Sequence, residues 1–410
     1  MAKKKILVVP SDNIGGVGFY RSTQPHIKLS EMYPDDFDVT IDMSPKYSDH
    51  EAMKQYDLVH IHKGLINDLQ GLHGFLQFAK ENNITTVMDI DDNWDLGMHH
   101  PQAASQKIYG IDKIITDNLR RFDYVTTTTP LFAEQIKKYN PNVKVIPNAI
   151  DPTDERFIVK KEPSKFLRVG LIMGSTHEYD MALLNNVSNR LKPDTLEKIQ
   201  FVLCGFDLRG TIKLIDNRTK EVTERPIKPK ESVWYRYEKM LTNDYKIISN
   251  EYKEFLELFL NNVQYPNVEN EHYKRCWTKD IDHYYSHYGE IDVLLAPLEV
   301  NNFNYVKSPL KVAECAFSHT AIVASDYGPY TLDLKSAIGY GGVLNADGNA
   351  LLVDENKNHK DWAKYIEKLA NDPALVKQLQ DNLYESVHEK YDLNNVTRDR
   401  AEFYKSIIKK

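Results

Sequence analysis

The 410-residue sequence is poor in cysteine and has no long apolar run. Its three cysteines, Cys204, Cys276 and Cys315, form neither a paired framework nor a metal-ligand spacing, which predicts reduced thiols in a cytosol. No run approaches the roughly 18 apolar residues that a membrane span needs. The opening MAKKKILVVP has an apolar stretch of only about five residues, too short for the core of a signal peptide. We therefore expect a soluble cytoplasmic protein, and peripheral contact with the inner face of a membrane stays open.

The charge balance also lacks a strong bias of either sign. The chain has 52 basic and 59 acidic residues, a net charge of −7, without long blocks of like charge. This balance argues against broad electrostatic binding of nucleic acid. With 41% hydrophobic and 27% charged residues the composition is that of a globular protein, and the length is sufficient for two domains with separate cores.

The first 150 residues alternate between short apolar runs and helical stretches. Strands are predicted at 5–10, 37–41, 57–62, 84–91, 123–129 and 143–148. Alternation at this spacing indicates a doubly wound parallel sheet, in which ligands bind at the carboxyl ends of the strands. Polar groups fall at three of those ends, at 60–63, 89–94 and 126–130.

The stretch 291–330 carries the strongest functional signal. An apolar run at 293–296 ends in a loop, a helix follows, and a second apolar run comes at 321–324. This order is typical of a strand–helix–strand unit in a parallel sheet. Ser308 is predicted to cap the helix, with Pro309 at the first helical position. The free N–H groups of such a helix start attract anions.

Charged side chains surround this predicted helix start. Lys307 lies just before it, Lys311 lies in its first turn, and Glu314 comes one turn later, within reach of a neutral group such as a ribose hydroxyl. A nucleoside diphosphate is the simplest ligand that uses all of these groups. The alternative is a surface helix on which Lys311 and Glu314 form an ion pair worth a few tenths of a kcal/mol.

The runs APLEVNNFNYVKSPLKVAE and IVASDYGPY resemble the donor-site signature of GT-B glycosyltransferases, close to glycosyltransferase family 4 (group 1). In that family the second Glu of an E-x7-E motif holds the donor ribose, and Glu314 matches it. The first Glu contacts the transferred sugar, and Val306 stands at its position here. The resemblance therefore implies a nucleotide-sugar site but leaves the sugar and the stereochemistry open.

A glycine-rich loop follows the first predicted strand. The sequence SDNIGGVG includes Gly15 and Gly16, which permit close approach of backbone to a ligand, and Arg21 follows. It resembles the first Gly-rich loop of GT-B enzymes, which implies contact with donor phosphate or sugar. The alternative is an ordinary strand–helix turn.

A similar loop follows the strand predicted at 167–174. The segment GSTHEYD resembles a pattern in some family-4-like sequences, which places Gly174, Ser175 and His177 near the donor phosphates. A simple helix cap explains the same residues. Gly205, after the next strand, is a candidate for the nucleobase site, and Arg209 is a candidate cation.

The run DIDDNW at the end of the fourth predicted strand has several interpretations. Asp89 and Asp91 match the D-x-D metal motif of another glycosyltransferase fold, but they lie far in sequence from the predicted phosphate site. In a GT-B arrangement Asp92 would orient or deprotonate an acceptor hydroxyl. Carboxylates that cap the next turn are the alternative. His99 and His100 follow and are candidates to line the same cleft.

The resemblance covers nearly the whole chain and implies a GT-B fold, an α/β architecture in which two Rossmann-like doubly wound domains face each other across a cleft. We predict an acceptor-side domain at 1–160, a nucleotide-sugar domain at 161–394, and a carboxyl-terminal helix at 395–410 that crosses back to the first domain.

The resemblance further implies transfer of a sugar from a UDP- or GDP-sugar to an acceptor hydroxyl, with retention and without a metal or other cofactor. Lys307 and Asp92 are the predicted catalytic residues. The expected acceptor is a glycan or a lipid-linked intermediate in surface polysaccharide or other glycan synthesis. Two alternatives stay open, a nucleotide-sugar epimerase and a nucleotide-sugar-binding protein without transfer activity.

Overall fold

The structure is a computed structural model that describes residues 3–12, 15–64, 68–207, 210–216, 218–219, 221–228, 231–241, 271–354 and 360–409. Within these ranges the chain forms two parallel sheets of six strands each, and a separate two-stranded hairpin. Apolar clusters lie on both faces of each sheet. The predicted α/β class, with two doubly wound parallel sheets, is confirmed.

The first sheet has the strand order β2-β1-β3-β4-β5-β6. Because helices cover both of its faces, the central strands β3 and β4 are buried along their whole length, as continuous apolar runs predict. Along β1, Leu7 packs into one apolar cluster and Ile6 into another. The strands are β1 Lys4–Val9, β2 Phe37–Ile41, β3 Leu58–His62, β4 Thr85–Ile90, β5 Tyr124–Thr127 and β6 Val143–Val145.

The helices around the first sheet follow the apolar spacing of their sequences. In the helix Leu69–Glu81, Leu72, Phe75, Leu76 and Ala79 are buried at intervals of three and four, and the Asp68 side chain accepts from the N–H of Gly71. The helices are α1 Gly16–Gly18, α2 Gln24–Met32, α3 His50–Met53, α4 Leu69–Glu81, α5 Ala103–Tyr109, α6 Ile111–Arg121 and α7 Pro130–Ile136, with a π-helical turn Phe19–Thr23 between α1 and α2.

The second sheet has the order β11-β8-β7-β12-β13-β14, and an antiparallel hairpin of β9 and β10 follows β8. The edge strand and the hairpin lie in a region whose sequence shows no regular alternation, so sequence reasoning missed them. The strands are β7 Leu167–Ile172, β8 Ile199–Phe206, β9 Thr211–Ile215, β10 Val222–Pro226, β11 Tyr273–Trp277, β12 Val293–Ala296, β13 Ala321–Ser325 and β14 Leu351–Val353.

The remaining helices cover the second sheet and return to the first. They are α8 Glu178–Ala182, α9 Pro193–Leu196, α10 Val233–Leu241, α11 Asn302–Tyr305, α12 Leu310–Phe317, α13 Lys360–Asn371, α14 Pro373–Tyr391 and α15 Leu393–Ile407. Short 3-10 turns occur at Glu155–Phe157, Ser188–Arg190, Tyr284–Glu290, Gly328–Leu332 and Tyr340–Gly342. None of the described helices combines the length and the apolar character that crossing a bilayer requires.

The last helix, α15, packs on the first half of the chain. Ala401 and Tyr404 join the apolar cluster of β1 and α2. The Tyr404 hydroxyl lies 2.8 Å from Nε2 of His26, and the hydroxyl of Thr85 donates to the carbonyl of Ile407 at 3.0 Å. These contacts tie the two ends of the chain together.

The helix after Lys307 begins later than the sequence predicts. It starts at Leu310, and Pro309, not Ser308, occupies the N-cap, where it makes no side-chain cap hydrogen bond. Ser308 does not cap the helix because its hydroxyl accepts instead from the amide of Asn148 at 2.9 Å. A hydrogen bond between the two halves of the chain thus stands in place of the local helix cap that the sequence predicts.

Candidate functional site

A cavity of about 480 Å³ lies at the carboxyl ends of the strands, with walls from both halves of the chain. Parallel strands end at the same edge of a sheet, which explains why loops distant in sequence meet there. Of the residues predicted from the sequence, the cavity brings together Gly15, Gly16, Asp92, His177, Lys307, Ser308, Lys311 and Glu314.

Glu314 lies at the floor of the cavity and is almost completely buried. Its carboxylate accepts from the hydroxyl of Tyr288 at 2.6 Å and from that of Tyr20 at 3.2 Å. Burial raises the pKa of Glu314, and Lys311 and the two hydroxyls offset only part of that rise. The hydroxyls fix the carboxylate in place and leave lone pairs on both oxygens for a further donor.

Lys311 lies beside Glu314 on the same face of α12. Its ammonium donates to the carbonyl of Ile172, at the end of β7, and within the described ranges no carboxylate lies within ion-pair distance. Burial lowers the pKa of Lys311, and the Glu314 carboxylate offsets only part of this. A half-buried cation with a carbonyl partner and unused N–H donors gains most from an anion that enters the cavity.

Lys307 lies at the mouth of the cavity, with Nζ 4.9 Å from the ring centre of Phe303. Its charge acts on its neighbours: after burial, Lys307 is the main cause of the lowered pKa of His177 and of His100. The two lysines therefore place positive potential at the mouth and at the floor of one cavity. This is the arrangement that an extended anion such as a diphosphate requires.

His177 is held by Asp180, one turn later. Nδ1 of His177 lies 2.6 Å from Oδ2 of Asp180, whose other oxygen accepts from the N–H of Glu299 at 2.7 Å and from Asn304 at 2.9 Å. Burial raises the pKa of Asp180, but His177, Lys307 and the N–H of Glu299 together outweigh this, and the pKa is lowered. A neutral His177 with its proton on Nδ1 thus offers Nε2 as an acceptor.

The glycine-rich loop lines the cavity, but not all of its backbone N–H groups are available to a ligand. The Asp12 carboxylate accepts from the N–H of Gly15 at 2.5 Å and from that of Gly18 at 3.2 Å. A Cβ on Gly18 would lie 2.2 Å from the backbone oxygen of Asp12, so glycine is required there, whereas a Cβ on Gly15 would meet only the movable Asp12 carboxylate, at 2.7 Å. Because a carboxylate already lies at this helix start, the loop is a poorer anion site than the sequence implies.

Asp92 lies on the wall of the cavity opposite α12. Its carboxylate accepts from the Lys63 ammonium at 3.2 Å, and the same ammonium lies 3.2 Å from the buried Asp91. Nε2 of His62 lies 3.2 Å from the same oxygen of Asp91, Oδ1. Burial alone would raise the pKa of Asp91, but Lys63 and His62 hold it well below its usual range. Asp92 keeps a partly exposed carboxylate toward the cavity.

Arg21, a predicted binding residue, does not line this cavity. It is fully buried, and its guanidinium binds both oxygens of Asp89, at 2.6 and 2.9 Å. It also donates to Asn148 at 3.0 Å. Burial would raise the pKa of Asp89, but Arg21 outweighs it and the pKa is lowered. Arg21 therefore holds Asn148, which holds Ser308, and Asp89 is committed to Arg21 rather than to a metal.

Three further predicted residues line a neighbouring cavity of about 710 Å³ instead. Gly174, Ser175 and Gly205 lie there, beside the hairpin and α10, and the two cavities share His177 and Lys311. Gly205 has a φ of +94°, which favours glycine. The remaining candidate, Arg209, lies outside the described residues.

Comparison of the whole chain with known proteins identifies the fold. No protein-family model matches the chain, and no curated protein matches it. Among solved structures, sucrose-phosphate synthase from Thermosynechococcus elongatus matches with a TM-score of 0.59 at 12% identity, over 99% of both chains. Anabaena Alr3699/HepE in complex with UDP matches with a TM-score of 0.57 at 14% identity, over 98% of this chain and 100% of that one. A glycosyltransferase from Rickettsia africae ESF-5 matches with a TM-score of 0.57 at 15% identity, over both whole chains. The fold is GT-B.

Val306, which stands in place of the first Glu of the GT-B motif, does not face the cavity. It is completely buried in the apolar cluster of the first half that includes Ile90 and Phe132. Its carbonyl accepts from the hydroxyl of Thr129 at 3.3 Å. The position connects the two halves of the GT-B fold, which explains why an apolar side chain is stable there.

Several residues of this site carry no signal that sequence reasoning used. Tyr20 and Tyr288 hold Glu314, but they lie far from it in the chain, so only the fold brings them together. Lys63 follows β3 in a segment that the sequence shows only as polar, and its φ of 60° is unusual for a residue other than glycine. Asn148 is recognisable in the sequence only as a turn residue.

Proposed function

We propose that the protein is a glycosyltransferase that moves a sugar from a nucleotide-activated donor to an acceptor hydroxyl. The observation that carries the proposal is the pairing of opposite walls in one cavity. Lys307, Lys311 and Glu314 form one wall, and Asp92 lies on the other. A donor bound to the first wall presents its sugar toward the second.

The donor wall matches the parts of a nucleoside diphosphate. Lys311 and Lys307 bind the diphosphate, and Lys311 gains a counter-ion that the described residues do not place within ion-pair distance. Glu314 accepts from the ribose hydroxyls with the lone pairs that its two tyrosine partners leave free. UDP is the first nucleotide to test, because HepE was solved with UDP and with UDP-glucose.

The chemical step requires charge stabilisation at the leaving diphosphate, where negative charge grows as the bond to the sugar breaks. The ammonium groups of Lys307 and Lys311 supply it in this proposal, so no metal is required. Asp92 orients the acceptor hydroxyl. The resemblance to family 4 favours retention, with the leaving phosphate as the acceptor of the proton. It also favours a role in surface polysaccharide or other glycan synthesis, on a glycan or lipid-linked acceptor.

One observation favours a second candidate, a nucleotide-sugar-binding protein without transfer activity. Val306 removes the acid that contacts the transferred sugar in family 4, and its side chain is buried away from the cavity. Release of UDP from a UDP-sugar in the absence of acceptor separates the two candidates. Slow hydrolysis supports the enzyme, and binding without any hydrolysis or transfer supports the binding protein.

Thermal shift of the purified protein against nucleoside diphosphates and nucleotide sugars tests the donor site first. A ligand that binds only the folded state raises the melting temperature by mass action. We expect a shift with one base, lost in Lys307→Ala and kept in Tyr109→Ala, an exposed residue remote from the cavity lining. No shift with any nucleotide would contradict the proposal. Unchanged turnover with EDTA is the result expected for a reaction without a metal.

A further inference from the structure

A third cavity, of about 400 Å³, adjoins the donor cavity and shares Asp92, His177 and Lys307 with it. Its other walls come from both halves of the chain: the loop that contains His99 and His100, the start of α8, and the segment before α12. A molecule in this cavity thus lies beside the predicted transfer site.

Aromatic rings form one side of this cavity. The rings of His99 and Tyr179 stack across the two halves, with centroids 4.1 Å apart and planes 6° apart. The ring of His100 meets that of Phe303 edge-on at 5.2 Å. Tyr179 is 48% exposed although it is large and stacked. Exposed aromatic faces at a cavity rim suit the C–H face of a sugar ring.

Carboxylates also line this cavity. Glu299 lies 2.8 Å from Nδ1 of His99, and Asp92 lies where the cavity meets the donor cavity. Asp180 is buried, with both oxygens already hydrogen-bonded. The one lysine in the lining of this cavity, Lys307, is assigned above to the donor diphosphate. An anionic group would therefore meet the carboxylates of Glu299 and Asp92, whereas hydroxyl groups would donate to them.

We propose that this His99–Tyr179 cavity binds a neutral saccharide unit of the acceptor and discriminates against a phosphate-bearing one. The inference rests on the proposed glycosyl transfer and names its acceptor class. The saccharide ring packs on Tyr179, its hydroxyls donate to Glu299 and Asp92, and one hydroxyl faces the donor sugar. A phosphorylated acceptor, such as the head of a lipid-linked intermediate, is excluded from this position by charge.

Saturation-transfer NMR on the full chain with saturating UDP tests this, because UDP occupies the two lysines and blocks the donor site. The probes are methyl glycosides of glucose, mannose, galactose and N-acetylglucosamine, each compared with the matching sugar 1-phosphate. We expect a signal from at least one neutral glycoside and a weaker one from its phosphate. Stronger binding of the phosphates, or no binding of any probe, would overturn the proposal.

Variants on both halves of the chain locate the site. Tyr179→Ala and His99→Ala should each weaken the glycoside about fivefold, as loss of an aromatic contact does, while Tyr109→Ala does not. Glu299→Gln should shift the preference toward the phosphates by about threefold. An unchanged signal in both Tyr179→Ala and His99→Ala, at unchanged melting temperature, would contradict the assignment.

The same variants separate this inference from the donor site. Tyr179→Ala should keep the thermal shift with UDP, because Tyr179 does not line the donor cavity. A wild-type protein that binds the glycosides but no nucleotide would contradict the proposed transfer and leave the saccharide site standing. A wild-type protein that binds UDP but no glycoside would contradict the saccharide site and leave the proposed transfer standing.

Discussion

The two walls of the cleft differ in how their buried charges are balanced. On the wall of the first half, Arg21 and Asp89 form a fully buried ion pair, and Lys63 lies between two aspartates. On the wall of the second half, the half-buried Lys311 has a carbonyl partner and, within the described ranges, no carboxylate at ion-pair distance. The first wall is complete without a ligand, and the second gains an essential counter-charge from one. Stability is concentrated in the first wall and binding capacity in the second.

Breaking the buried pair of the first wall should have the largest effect. Arg21→Ala leaves Asp89 charged, buried and without its cation, which costs about 3–5 kcal/mol of unfolding free energy. Denaturant unfolding measures it. The control is Arg121→Ala, whose exposed pair with Asp117 should contribute about 1 kcal/mol or less. Equal effects of the two variants would contradict the comparison.

Removing the cation of the second wall should instead affect binding. Lys311→Met keeps the apolar stem, so unfolding free energy should change by about 1 kcal/mol or less, since a buried charge is removed along with a hydrogen bond. Affinity for UDP should fall about 30- to 100-fold, the loss of one charge-assisted contact to phosphate. Calorimetry with UDP and urea unfolding of the same samples measure both. A large loss of stability with unchanged affinity would reverse the roles of the two walls.

Acid should act on buried histidines in both halves, because burial lowers the pKa of His287 in the second half to about 3 as well. In the first half the histidine to test is His60. Burial lowers the pKa of His60 to about 3, and within the described ranges its ring nitrogens have no hydrogen-bond partner. Because the unfolded chain takes up this proton first, the contribution is complete above about pH 6.5 and is lost as the pH falls toward 3. Between pH 7 and pH 5 the wild type should lose about 2 kcal/mol more than His60→Leu. Urea unfolding at each pH measures this. Unfolding free energies that change with pH by the same amount in the wild type and in His60→Leu would contradict the prediction.

The contact between the walls should have the smallest effect. Ser308→Ala removes the acceptor of the Asn148 amide and loosens the loop that carries Lys307. A single neutral hydrogen bond is worth about 1 kcal/mol, so UDP affinity should fall about fivefold at most. Calorimetry measures it. A loss as large as that of Lys311→Met would mean that Ser308 binds the donor directly.

The sequence was sufficient where function depends on local spacing. Lys311 and Glu314 lie three residues apart, so any helix there places them on one face, and in the structure both line the cavity. Alternation of apolar runs and helices likewise predicted the first parallel sheet, and the strand–helix–strand unit at 291–330 indicated the second. The D-x-D match gave no sign that Asp89 has a cation partner 68 residues away.

The sequence was insufficient where a partner comes from a distant segment. In the sequence, Arg21 is a cation beside a glycine-rich loop, and only the fold shows that it binds Asp89. Ser308 looks like a helix cap until Asn148 claims its hydroxyl. In each case a long-range polar contact outweighed a local preference of about 1 kcal/mol.

The central claim is that the two walls divide donor binding from acceptor chemistry, and one calorimetric experiment tests it most directly. UDP is titrated into the wild type, Glu314→Gln and Asp92→Asn. We predict that Glu314→Gln weakens UDP binding about tenfold or more, because a neutral amide holds ribose hydroxyls less well, and that Asp92→Asn stays within about twofold. Equal affinities of the two variants, or a larger loss in Asp92→Asn, would contradict the account.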